Sequence, residues 1–161
     1  MSMIIDGTNG LTFNNATTQA SAGVVLQVVQ GTLGTTVSTA SSTYSDTGLT
    51  ATITPKFSTS KILVMITLAC CGKYSGNTSL ALKVLRNGSS ILNWDDGFGY
   101  NNTTAFIIAQ GALNYLDSPA TTSATTYKLQ YASQANVANA IINDSNGTGA
   151  SSFMTLMEIA A

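Results

Sequence analysis

The sequence predicts an all-β chain, a jelly-roll-like antiparallel β-sandwich preceded by a short extended N-terminal segment. Three observations predict it. From Ile62 to Cys71 the chain is apolar except for Thr67, rich in β-branched residues and stopped by Gly72. A run of that kind reads as a central strand covered on both faces, and it is too short to span a bilayer. Around it lie short segments that alternate apolar and polar residues, with turn residues between them. Helical periodicity is absent throughout.

The elements follow in order. Met1 to Ala22 stands apart from Gly23 to Ala161, the sandwich domain. Met3-Ile4-Ile5 is a short apolar run, Asp6 to Gly10 is turn chemistry, and Leu11-Thr12-Phe13 alternates. The apolar residues Ile4, Ile5, Leu11 and Phe13 are too few to offset the entropy of ordering this stretch alone. It is therefore expected to pair with another chain and to be dispensable for folding of the rest.

Val24 to Gln30 predicts a strand broken by Gly31 and Gly34, and Thr35 to Thr39 a short pairing segment. Leu49 to Ile53 alternates and stops before Pro55. Leu80 to Arg86 and Ser89 to Asn93 flank Asn87-Gly88, the signature of a hairpin with a type I′ turn. Asp95 to Asn102 reads as a loop, and Thr104 to Leu116 as a long strand bent at Gly111. Tyr127 to Tyr131, Ala140 to Ile142 and Phe153 to Ile159 complete the set.

Gly7 to Gln19, Gly-Thr-Asn-Gly-Leu-Thr-Phe-Asn-Asn-Ala-Thr-Thr-Gln, resembles the GTTGITFPDGTTQ stretch near the start of many fibre-like virion proteins of tailed bacteriophages. Val25 to Val29, Tyr44 to Pro55 and Ser58 to Val64 are similar to the blocks that follow it there. Asn14-Asn15 departs from the usual Pro-Asp. The resemblance covers roughly the first 70 residues. It implies a β-sandwich in a virion, commonly trimeric, made in the host cytoplasm. Ile4, Ile5, Leu11 and Phe13 then become candidate virion-docking residues. The expected partners are further copies of the chain and other virion proteins.

Composition points the same way. Only 8% of residues are charged and the net charge is −1, against roughly 25% charged in an average soluble domain. Such a surface repels its own copies weakly, and interfaces between subunits are depleted in charge. The six basic residues are scattered, so there is no footprint for nucleic acid. Met1 to Ile5 carries no signal-peptide pattern, and no segment predicts membrane insertion. Cys70 and Cys71 are adjacent, with side chains on opposite faces, and read as small buried hydrophobes rather than a disulfide. Asn-x-Ser/Thr sequons start at Asn15, Asn77, Asn87, Asn101, Asn102, Asn143 and Asn146. They signify glycosylation only in a secreted eukaryotic protein.

No enzyme activity is expected. The chain has no His, and its one Glu, Glu158, sits inside a predicted strand. Asp95 and Asp96 are neighbours that normally point apart; Asp95 with Asp117 or Asp144 is the pairing left open, and no constellation with mutual geometry can be assembled from the residues alone. Asp144 to Gly147 has part of a calcium-loop pattern but reads as a turn, so neither metal nor cofactor is expected. One constellation has a binding character. Trp94, Asp95, Asp96, Phe98 and Tyr100 set three aromatics and two carboxylates on a Gly-containing loop. Exposed, they are candidate contacts for a host cell-surface saccharide; turned inward, Trp94 and Phe98 plug the end of the core. Two function classes result. One is a homotrimeric tail fibre or fibre tip contacting the host. The other is a head or tail decoration protein that cements the particle.

Overall fold

A computed structural model describes residues 24–135, 138–144 and 149–160, together with the backbone of three short strands before them. Those are β1 (Ile4–Asp6), β2 (Gly10–Thr12) and β3 (Thr18–Gln19), which pair only with one another. The sandwich is built from β4 (Val25–Leu33), β5 (Val37–Thr39), β6 (Ser45–Ile53), β7 (Lys61–Lys73), β8 (Leu80–Arg86), β9 (Ser89–Phe98), β10 (Ile107–Asp117), β11 (Thr125–Ser133), β12 (Ala140–Ile142) and β13 (Ser152–Ile159). No helix occurs among the described residues.

Pairing is nested and antiparallel: β4 with β13, β5 with β12, β6 with β11, β7 with β10, and β8 with β9. Further ladders join β7 to β13 and β12, and β11 to β8. The result is a six-stranded sheet with β7 at its centre, and a four-stranded sheet in the order β6-β11-β8-β9. Their facing sides make the core. Ile62, Val64, Ile66 and Leu68 of β7 meet Leu49 and Ile53 of β6, Leu82 and Val84 of β8, and Tyr127 and Leu129 of β11. Each fully buried aliphatic side chain contributes about 2 kcal/mol.

The apolar run is thus a central strand, but its two faces differ. Ile62, Val64, Ile66 and Leu68 are buried, while Leu63 and Met65 are half-buried and Thr67 is exposed. Among the described residues a second layer packs on one side of this sheet, whereas the sequence predicts cover on both.

Gly31 does not break β4. A Cβ there would run into the Thr50 carbonyl oxygen, so the glycine lets β4 lean on β6 of the facing sheet. The Asn87-Gly88 turn is as predicted, with both residues at positive φ (48° and 86°). The bend in β10 is a register shift against β7 between Ala109 and Gly111. Beside it Cys70 adopts a φ of 44°. Both cysteines are free, and burial pushes the Cys71 thiol up to about 12.

Two buried carboxylates fasten the layers. Asp117 of β10 accepts from Arg86 Nη1 at 2.8 Å and from the Tyr127 hydroxyl at 2.7 Å, both on the facing sheet. Glu158 of β13 accepts from the backbone N–H of Lys56 at 2.7 Å, from Phe57, and from Gln27 Nε2. It thereby holds the crossover from β6 to β7.

Candidate functional site

β7 ends in Lys73, and the side chain of that lysine is fully buried. Its ammonium donates to the carbonyl oxygens of Gly76 (2.9 Å), Asn101 (2.9 Å) and Thr103 (2.8 Å). An ammonium has three protons and no acceptor, so these bonds satisfy it completely. The three carbonyls belong to two loops, 74–79 and 99–106. One residue therefore anchors both loops at the same end of the sandwich.

The segment after β11 joins them. Tyr74 N–H donates to the Asn139 carbonyl (2.9 Å), and Gln134 N–H to the Ser79 carbonyl (3.0 Å). Thr78 and Ser133 share a hydroxyl hydrogen bond of 2.9 Å, and Ala135 N–H donates to Thr78 Oγ1. The Ser79 hydroxyl donates to the Asp96 carbonyl at 2.9 Å. Small hydroxyl residues bond backbone locally, which is how turn-rich stretches order themselves without an apolar core.

Three large aromatics are exposed on this anchored end: Tyr74 (46%), Tyr100 (54%) and Phe106 (43%). The Tyr74 and Phe106 rings lie 5.2 Å apart at 49°. Aromatic pairs favour such tilted arrangements. The surrounding residues are amides and hydroxyls, including Asn77, Asn101, Asn102 and Thr104. Such a surface can stack on a flat apolar face and hydrogen-bond around it. It offers no acid–base pair.

The sequence-predicted constellation is split. Asp95 to Phe98 belongs to strand β9, not to a loop. Opposite Leu80 and Leu82 its register shifts, so that Phe98 faces Leu80 and Asp95 faces Leu82. That bulge accommodates the Gly-containing stretch without ending the strand. Trp94 and Phe98 are partly buried and pack against the core. Asp95 Oδ1 accepts from Gly97 N–H at 2.7 Å. Asp96 Oδ1 accepts from the Tyr44 hydroxyl at 3.2 Å, and Lys83 Nζ lies 4.0 Å above the Tyr44 ring. Burial and then Asp96 raise the Tyr44 pKa. Only Tyr100 stands with the exposed aromatics.

Of the docking candidates, Ile4 and Ile5 lie in β1 and Leu11 in β2, with Ile5 opposite Leu11. Phe13 lies outside the described residues. No group of metal-ligating side chains occurs among the described residues. Asn143 is 1% exposed, and its amide is engaged with the Leu33 and Thr35 carbonyls and the Ser152 hydroxyl. Its sequon is thus structural. Lys73, Tyr74 and Phe106 carry no sequence signal of their own; only the fold brings their loops together.

No protein-family model matches the chain, and no curated protein matches it.

Proposed function

We propose that this chain is a structural protein of a tailed-bacteriophage virion. In this reading it is a homotrimeric tail-fibre or fibre-tip component, attached through Met1 to Ala22, with its loop end towards the host. The family half of the reading is supported by the resemblance of Gly7 to Gln19 to phage fibre-like proteins. The finer fold reading is a jelly roll. Its support is the nested pairing, in which the first strand of the sandwich joins the last and each inner strand joins its counterpart.

The observation that carries host contact is the trio Tyr74, Tyr100 and Phe106, exposed on loops fixed from below by Lys73. Aromatics held on ordered loops stack on a saccharide face without first being immobilised. Each contact contributes on the order of 1 kcal/mol, and linked copies multiply it.

Immunogold labelling of virions with an antibody to this chain tests the reading. Gold at the tail tip supports it. Gold on the head moves the chain to the decoration reading, and an unlabelled virion overturns both. Tyr100→Ala combined with Phe106→Ala should then lower adsorption severalfold while leaving the chain folded.

A further inference from the structure

We infer that the outer face of the six-stranded sheet is where copies of this chain meet. The inference rests on the homo-oligomer half of the reading above and is independent of host contact.

The face can be read from strand register. Val28 of β4 lies opposite Met157 of β13, Met157 opposite Leu63 of β7, and Leu63 opposite Leu116 of β10. One apolar row therefore crosses four strands. Val28 is 53% exposed and Leu116 54%. The next row along the strands centres on Met65, and the one beyond it holds Phe153, 38% exposed. The other positions of these rows are Gln, Thr, Asn and Ala. None of the twelve is ionisable.

The outer face of the four-stranded sheet is built differently. It carries Lys83 and the Asp46–Lys128 ion pair at 2.8 Å. Hydrogen bonds from Lys128 and Gln130 hold the Asp46 carboxylate there. A chain with 8% charged residues thus places charge on one outer face and keeps the twelve central positions of the other free of it, with Lys61 at the edge beside Ile159, its ammonium donating to Ser118 Oγ at 2.7 Å. Strongly charged partners find little to pair with on a face whose one charge is Lys61 at its edge. A second copy meets its three central rows with no charge to desolvate, and the edge Lys61 stays solvated at the rim.

The size is also suitable. Strands are about 4.8 Å apart and same-face residues about 6.8 Å apart, so four strands by four rows, counting the edge row of Val25, Ile159 and Lys61, span roughly 500 Å² of flat area. Projecting side chains add to this. A standard interface takes about 800 Å² of accessible surface from each partner, and incidental contacts less than about 400 Å². Met65 and Met157 add adaptable side chains that fit a facing copy.

Sedimentation of the full-length chain tests the inference. Wild type should run as an oligomer at micromolar concentration. Leu116→Lys should weaken association by about 100-fold or more and run as a protomer, with unchanged far-ultraviolet circular dichroism. Thr52→Lys, on the charged outer face, should keep the wild-type mass. Leu116→Lys at wild-type mass overturns the assignment of the face but leaves oligomerisation standing. A monomeric wild type overturns both. If Leu116→Lys does not fold, Leu116→Cys serves instead. Its thiol should resist a maleimide in the oligomer, beyond the background of Cys70 and Cys71, and react on dilution. Rapid labelling in the oligomer overturns the inference.

Discussion

At the residue scale, two buried charged groups are held by backbone rather than by a counter-charge. Glu158 is one. Burial alone raises its pKa, but hydrogen bonds from Gln27 and the backbone N–H groups of Lys56 and Phe57 outweigh burial and set it below the ordinary carboxylate value. A lowered folded pKa means stability that is present above the unfolded value, about 4.3, and lost as pH falls through the folded one. Glu158→Gln should cost about 2 kcal/mol at neutral pH. The gap between variant and wild type should close below pH 4 in urea titrations; a constant gap would count against the carboxylate. Lys73 is the other. Lys73→Met leaves three carbonyls without their donor and should cost about 2 kcal/mol net, since an ammonium no longer has to be buried. Amide exchange should speed up in 74–79 and 99–106 and stay unchanged in β6 and β11. A lysine at the end of an apolar run signals only a strand end in sequence. Its role depends on which carbonyls the other loops bring to it, and no local pattern encodes that.

At the element scale, what was legible depended on how local the cause is. Asn87-Gly88 fixes its own turn through two positive φ angles, and the sequence predicts it correctly. The strands around Leu49, Tyr127 and Phe153 were equally readable, because alternation is a local record of one buried face. Gly31 was misread. A glycine looks like a strand breaker until the Thr50 carbonyl beneath it is known. Gly31→Ala should push β4 away from β6 and cost about 2 kcal/mol or more, measured by thermal or chemical unfolding. A neutral substitution would mean that β4 shifts freely. Asp95 to Phe98 was misread for a similar reason. Its Asp and Gly residues read as loop chemistry, yet pairing with Leu80 and Leu82 across a bulge keeps it in β9. Tyr100 stood among the candidate contact residues, whereas the other exposed aromatics, Tyr74 and Phe106, come from other positions in the chain.

At the scale of the molecule, the nested order makes almost every ladder long-range. Among the described residues, the β8–β9 hairpin is the one ladder closed by a two-residue turn. Loop-closure entropy therefore favours starting there and adding pairs outward, with β4–β13 last. Gly88→Ala, which puts a side chain at a φ of 86°, should cost about 1 kcal/mol. Most of that should appear as folding about fivefold slower. Leu156→Ala in β13 should cost about 3 kcal/mol and appear mainly as faster unfolding. Stopped-flow measurements that reverse this assignment would place the nucleus at the outer pair.

A chain that joins its first sandwich strand to its last cannot close while it is being made. On the ribosome, β8 and β9 can join as soon as both have emerged. β4 must wait for β13, and about 120 residues separate Leu33 from Ser152. At roughly 5–20 residues per second, that wait is on the order of ten seconds. Until β7 to β11 have emerged, the inner sides of β4 and β6 have little but each other to lie against, and a chain so poor in charge has little to keep neighbouring nascent copies apart. The surface that suits finished subunits for meeting is a hazard to unfinished ones, so yield in the cell should depend on chaperone capacity and on slow translation before β13.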